Sequence, residues 1–297
     1  MCGIVGLLIK KPQLRESLGE LMVPMLIGMS DRGSDSAGLA VFTETLAESD
    51  RKYSLYSGGN FNWVKLAEDF QISFGVTPAI ETHGNHAVLI SDLAPQVVKQ
   101  WLKEYRPQLH ILSIGRTIDL YKDTGKPAEV AARYHFQALK GSHLVGHTRM
   151  ATESAVTPAH AHPFTAGEDF CLVHNGSLSN PNEIRRKLQP HGIEFETDND
   201  TEAACRFLEW RLREGDDLET ALHRGFTQLD GFYTFLMGTA DKLALVRDAF
   251  ACKPAVVAET DDYVAIASEF RSLAHLPDVN NAHIYEPFPE EMYVWQI

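Results

Sequence analysis

The chain is short of cations: 27 Lys and Arg stand against 40 Asp and Glu, a formal net charge of −13 over 297 residues. A nucleic-acid partner needs a basic surface to neutralise phosphates, so that class is excluded. The same sign disfavours docking on an anionic membrane. Long apolar runs are missing too, and none approaches the roughly 18–20 residues of a membrane span. The opening stretch Cys2–Ile9 is apolar but short, follows no basic segment and runs into Lys10-Lys11, so it is not read as a signal peptide. Only four cysteines occur (Cys2, Cys171, Cys205, Cys252), far apart and with no CxxC pair. That pattern fits reduced thiols and a cytoplasmic location better than a disulfide scaffold. There is no internal repeat, low-complexity tract or Gly/Ser linker. The 44% hydrophobic content suffices for one large domain or two small ones.

Hydrophobic periodicity places the elements. Residues 2–9 read as a buried strand, 13–28 as a helix ending at Gly28, and 37–42 as a second strand after the polar turn Ser30–Ser36. The stretch from about 45 to 140 has a different texture. A strand at 86–91, a helix at 95–105, a strand at 110–121 and a helix at 127–136 suggest a small α/β insertion there. Strands return at 142–148 and 170–174, and helices are expected at 180–190, 201–213 and 217–228, the second with Asp200 as its N-cap. The last third reads as strand at 232–238, 243–247, 255–258, 263–267 and 283–296. Strands at both ends with helices between them predict a layered α+β domain rather than alternating β/α units.

Polar clusters stand at the strand ends. His147-Thr148-Arg149-Met150-Ala151-Thr152 carries an arginine suited to a bidentate carboxylate contact, or to an ordinary surface ion pair. In His174-Asn175-Gly176 an amide beside a glycine N–H could stabilise an oxyanion, although Asn-Gly is also a turn dipeptide. Thr197-Asp198-Asn199-Asp200-Thr201-Glu202 could cap a helix or present a carboxylate to an ammonium group. His160 and His162, or His83 and His86, have no further ligand at a convincing spacing, so neither a metal nor another cofactor is expected.

Cys2 changes how these clusters read. Removal of Met1 would leave a thiol and a free α-amine on one residue. With ordinary pKa values near ~8.5 and ~7.7–8.0, that amine can take the thiol proton near neutrality. The competing reading is a buried cysteine in the first strand. A nucleophile with its own base, a carboxylate clamp, an oxyanion pair and an ammonium anchor are what acyl transfer from a free α-amino acid requires. The side-chain amide of glutamine fits that set best.

Together these residues resemble the class II glutamine amidotransferases, whose glutaminase domain is an N-terminal-nucleophile hydrolase. Cys2-Gly3-Ile4-Val5-Gly6 is similar to the family's start, and Arg32-Gly33-Ser34-Asp35-Ser36-Ala37-Gly38 to its RGxDSAG turn. His147–Thr152 resembles HTRxAT, Ala161-His162-Pro163 the AHP segment, His174-Asn175-Gly176 HNG, and Asp200-Thr201-Glu202 DTE. The resemblance implies one domain over residues 2–297, a four-layer αββα sandwich of two antiparallel sheets with the insertion at about 45–140. It implies Cys2 as nucleophile and base, Asn175 and the Gly176 N–H as oxyanion hole, and Arg149, assisted by Thr152, on the substrate carboxylate. It also implies Asp200 on the substrate ammonium, with Arg32, Gly33 and His174 in support.

Where many members continue HTRxAT with His-Gly, this chain has Glu153-Ser154, so the carboxylate pocket or its lid departs from the pattern there. The long insertion looks more like the glutaminase region of glutamate synthase, or the glutaminase-like subunit of N-methylglutamate synthase-type complexes. No synthase region follows in the sequence, so a separate subunit is expected to accept the ammonia released from L-glutamine. The alternatives are a stand-alone amidase or γ-glutamyl hydrolase with the same nucleophile, and a non-catalytic regulatory subunit.

Overall fold

The computed structural model describes residues 2–151 and 156–297. Its elements run β1 (Gly3–Ile9), α1 (Leu18–Gly28), β2 (Ser36–Phe42), β3 (Arg51–Ser57), α2 (Trp63–Phe74), β4 (Ala79–His83), β5 (His86–Ser91) and α3 (Pro95–Tyr105). Next come β6 (Leu109–Gly115), β7 (Ile118–Thr124), α4 (Pro127–Arg133), β8 (His143–Arg149), β9 (Phe164–Thr165), β10 (Cys171–Leu178), α5 (Pro181–Leu188), α6 (Asp200–Arg213) and α7 (Leu218–Gln228). The chain finishes with β11 (Gly231–Gly238), β12 (Lys242–Arg247), β13 (Val256–Glu259), β14 (Tyr263–Ala267), β15 (His283–Tyr285) and β16 (Met292–Gln296).

Among the described residues, one antiparallel sheet has the order β15-β13-β14-β1-β8-β2-β7 and a second has the order β16-β12-β11-β10-β9. The apolar run of β1 is explained by burial on both faces. Ile4 and Leu8 join Val145, Val173, Leu236 and Leu245 in the core between the sheets. Val5, Leu7 and Ile9 point the other way, onto Met22, Met25 and Leu26 of α1. Alternate residues of a strand face opposite sides, so a strand covered on both sides loses its polar alternation. Helices α5, α6 and α7 cover the second sheet through Ile184, Phe207, Leu208 and Leu222 against Leu172, Phe235 and Met237. Each fully buried side chain of this size contributes about 1.5–3 kcal/mol, so both cores hold the layers in register. The layering is αββα, as expected.

The inserted lobe is smaller than the sequence suggests. Its sheet has the order β4-β5-β3-β6, antiparallel throughout, with α2 and α3 in the connections: a split βαβ arrangement. Tyr53, Leu55, Phe70, Leu89, Val98 and Trp101 form its own core. The strand expected at 110–121 breaks into β6 and β7, because the Asp169 carboxylate accepts the N–H groups of Arg116, Thr117 and Ile118 at 2.9, 2.8 and 3.0 Å and folds the chain back. From there β7 pairs with β2, and Val130 of α4 packs beside α1. Residues 118–140 therefore belong to the main sandwich, a correction to the 45–140 insertion.

Candidate active site

The first sheet brings the N-terminus to the exit of β8. Gly3 pairs with Thr148, so Cys2 stands just before the ladder, at the end of β8 that carries Arg149. Cys2 is half-buried, with its Sγ 4.0 Å from the Met150 carbonyl oxygen. Arg32, also buried, donates from Nε to the Cys2 carbonyl oxygen at 3.0 Å and from Nη1 to Glu269 at 2.9 Å, which fixes the backbone of the terminal residue. The turn before β2 wraps the same strand exit: Asp35 N–H donates to Arg149 O at 3.0 Å, and its carboxylate accepts Ala151 N–H at 2.8 Å. Gly33 permits this wrap, since a Cβ there would come within 2.6 Å of the Arg149 backbone.

The second sheet presents β10. His174-Asn175-Gly176 forms no turn; the strand continues through it to Leu178, paired with β11. Asn175 is 2% exposed, and its Nδ2 has no hydrogen-bond partner among the described residues. Gly176 adopts a φ of 151°, and a Cβ on it would meet the Phe232 carbonyl oxygen at 2.1 Å. Only glycine fits there, and the close approach of β11 is the reason.

Three buried histidines tie the sheets together. His147 Nε2–H donates to the His174 carbonyl at 3.1 Å, joining β8 to β10 two residues from Arg149 and one from Asn175. His147 stacks on His162 at 4.1 Å, and His162 Nε2 and His174 Nδ1 both meet the Thr201 hydroxyl, at 2.8 and 3.0 Å. Burial drives all three rings down in pKa, His147 to about 3, so they are neutral at pH 7. Behind them Lys122 is buried and donates to the carbonyls of Ala161 and Pro163 at 2.9 and 3.2 Å; burial lowers its pKa to about 8.

Asp200 is not the N-cap of α6. Asn199 holds that position, its side chain accepting Thr201 N–H at 2.8 Å. The Asp200 carboxylate turns instead to β10, accepts Leu178 N–H at 2.9 Å and remains 26% exposed. Glu202 is structural: its carboxylate accepts Glu196 N–H and Thr197 N–H at 2.8 and 2.7 Å and orders the loop before the helix.

Thr152 lies outside the described residues, as do Glu153 and Ser154. Cys2, Arg32, Gly33 and Arg149 thus gather at one end of the inner strands of the first sheet, and His174, Asn175, Gly176 and Asp200 on the sheet and helix facing it. His147, His162 and Thr201 had no assigned part in the sequence reading, although each stands inside a recognised motif. His160 faces Asp198 at 3.1 Å on the rim of a separate cleft that includes Arg185 and Phe195. Among the described residues, no three His, Cys, Asp or Glu side chains converge in a way that could hold a metal ion. Nor is any helix among them long and apolar enough to cross a membrane.

Two stacked antiparallel sheets lie between helical layers, with a cysteine leading a central strand, and this αββα sandwich has solved counterparts. The B. subtilis glutamine phosphoribosylpyrophosphate amidotransferase shares it at a TM-score of 0.62 with 19% identity; the match covers 99% of this chain and 47% of that one. The allosteric regulatory enzyme of purine biosynthesis gives 0.65, with the same identity and coverage. This chain thus spans about half the length of those solved structures. A glutamine amidotransferase domain model matches residues 147–275. The glutamine amidotransferase-like protein GlxB of Rhizobium meliloti (strain 1021) is 46% identical over 99% of this chain and 98% of its own length. The chain belongs to the class II glutamine amidotransferase family.

Proposed function

We propose that the chain is a glutaminase that hydrolyses the side-chain amide of L-glutamine, with Cys2 as nucleophile, and supplies ammonia to a separate synthase subunit of the glutamate-synthase type. One juxtaposition carries the reading. Cys2 precedes the Gly3–Thr148 ladder step at the end of β8 that carries Arg149, and the opposed sheet offers beside Gly176 a buried Asn175 amide nitrogen with no partner among the described residues.

Once Met1 is removed, the α-amine of Cys2 takes the thiol proton, directly or through a water. Sγ adds to Cδ, and the oxyanion is met by Asn175 Nδ2 and the Gly176 N–H. The amine returns the proton to the leaving nitrogen, the C–N bond breaks and ammonia departs. Water then adds to the γ-glutamyl thioester, the C–S bond breaks, and glutamate and the thiol are regenerated. Arg149, with Thr152, grips the substrate carboxylate, and Asp200 grips the ammonium. Free ammonia would protonate in water, which favours direct hand-over to a bound acceptor. The GlxB relative is matched over 98% of its own length, so that glutamine amidotransferase-like protein carries no fused synthase region, which supports a separate acceptor.

Cys2→Ala should abolish ammonia release from glutamine and labelling by a glutamine-mimicking electrophile. The wild-type chain, purified from its native host, should co-purify with a larger redox subunit that stimulates its turnover. Appreciable glutaminase activity in the alanine variant would overturn the nucleophile assignment. A fully active wild-type chain that purifies alone and responds to no subunit would overturn the partner.

A further inference from the structure

We infer that Thr201 is a positioning residue: its hydroxyl sets the His174 ring and, through it, the Asn175–Gly176 backbone that would receive the oxyanion. The inference rests on the glutaminase reading of the same site. Thr201 Oγ1 lies 2.8 Å from His162 Nε2, 3.0 Å from His174 Nδ1 and 3.4 Å from Asp200 Oδ1. A hydroxyl has one proton and two lone pairs, and a carboxylate can only accept. The three contacts therefore close in one way: both rings donate to Oγ1, and the hydroxyl proton points to Asp200.

That arrangement leaves His174 Nε2 as a bare lone pair. This atom lies 2.7 Å from where a Gly176 Cβ would stand, so the ring lies against the glycine backbone. The His174 carbonyl is fixed as well, by His147 Nε2 at 3.1 Å. Ring and carbonyl together hold the peptide that leads into Asn175. Asp200 depends on Thr201 far less, because its other oxygen accepts Leu178 N–H at 2.9 Å. The two ends of the substrate should therefore respond differently to loss of the hydroxyl. The oxyanion pair should be misplaced while the ammonium anchor stays.

The test is steady-state glutaminase kinetics on Thr201→Val and Thr201→Ser, with folding checked by circular dichroism and thermal melting. Valine keeps the shape and removes the hydroxyl. We expect kcat to fall about tenfold to a hundredfold, the range for a lost buried hydrogen bond, with KM for glutamine within about threefold of wild type. Serine restores the hydroxyl and should bring kcat back to within about threefold. A folded valine variant with unchanged kcat, or with a raised KM and normal kcat, overturns the inference. Should valine prevent folding, serine decides: a folded serine variant more than about tenfold down in kcat overturns it, because the hydroxyl alone is assigned the role. A wild-type chain that releases no ammonia from glutamine defeats the underlying reading instead, before any variant is compared.

Discussion

Asn175 is enclosed by protein, yet its amide nitrogen bonds to nothing among the described residues. Leaving such a donor unsatisfied costs about 1–3 kcal/mol, which is tolerable where a substrate oxygen completes the site. Replacement by aspartate tests this without changing shape. Asn175→Asp removes the donor and sets a carboxylate against a developing negative charge. A single oxyanion donor is worth about 10²–10³ in kcat, so a fall of at least a hundredfold is expected at nearly constant KM. Rapid-quench or coupled ammonia assays on the folded variant would measure it. A variant that kept a tenth or more of wild-type kcat would remove Asn175 from the oxyanion role. Gly176 tolerates no comparable test, since any Cβ would collide with the Phe232 carbonyl at 2.1 Å.

At the scale of elements, the start of α6 separates two roles that the sequence merges. Asn199 caps the helix, whereas Asp200 faces β10. Asn199→Ala should cost about 1 kcal/mol of stability, seen as a lower melting temperature, with little change in KM. Asp200→Asn should melt close to wild type yet raise KM for glutamine by about tenfold or more, the worth of a charged hydrogen bond. The reverse pattern, with Asp200→Asn unstable and Asn199→Ala weak in binding, would return Asp200 to the cap. The same helix shows what the sequence made legible. The α6 periodicity and the strand and helix at 86–91 and 95–105 were readable because apolar spacing and Pro95 mark them locally. The turn at Arg116-Thr117 was not, because a carboxylate more than fifty residues away closes it; Gly115 only makes room, since a Cβ there would meet Asp169 Oδ1 at 2.1 Å. Strand β4, an exposed edge, lacks apolar alternation altogether. The site motifs were visible as short matches, but which aspartate caps and which asparagine stays in a strand depend on β10 meeting α6 in space.

Across the whole molecule, buried histidines act as ties between layers. His143 meets the Thr239 carbonyl at 2.8 Å, linking β8 to the β11–β12 turn of the other sheet. His147 links the same two sheets through His174. His86, in the inserted lobe, accepts the Lys122 N–H of β7 at 3.4 Å. Burial lowers each of these pKa values to about 3, whereas an unfolded chain titrates its histidines near ~6.5. Between those values the unfolded chain carries protons that the folded one does not. Their contribution is therefore complete above about pH 6.5 and is lost as pH falls toward 3. Each ring adds a slope of about 1.4 kcal/mol per pH unit within that window. Asp123, held below its usual range despite burial by hydrogen bonds from Tyr134, Thr124 and Arg133, adds the same sign only below the ordinary carboxylate range. Asp119, raised by burial, has the opposite sign, and its window opens upward from the ordinary carboxylate range. Between pH 6 and 5 the three histidines outweigh that single opposing carboxylate, since each of them contributes a slope and it contributes at most one. Urea denaturation at fixed ionic strength should show unfolding free energy dropping by more than about 1 kcal/mol over that interval. A flat or rising profile would mean that these rings are protonated in the native protein, and the ties described here would have to be drawn with charged imidazolium donors instead.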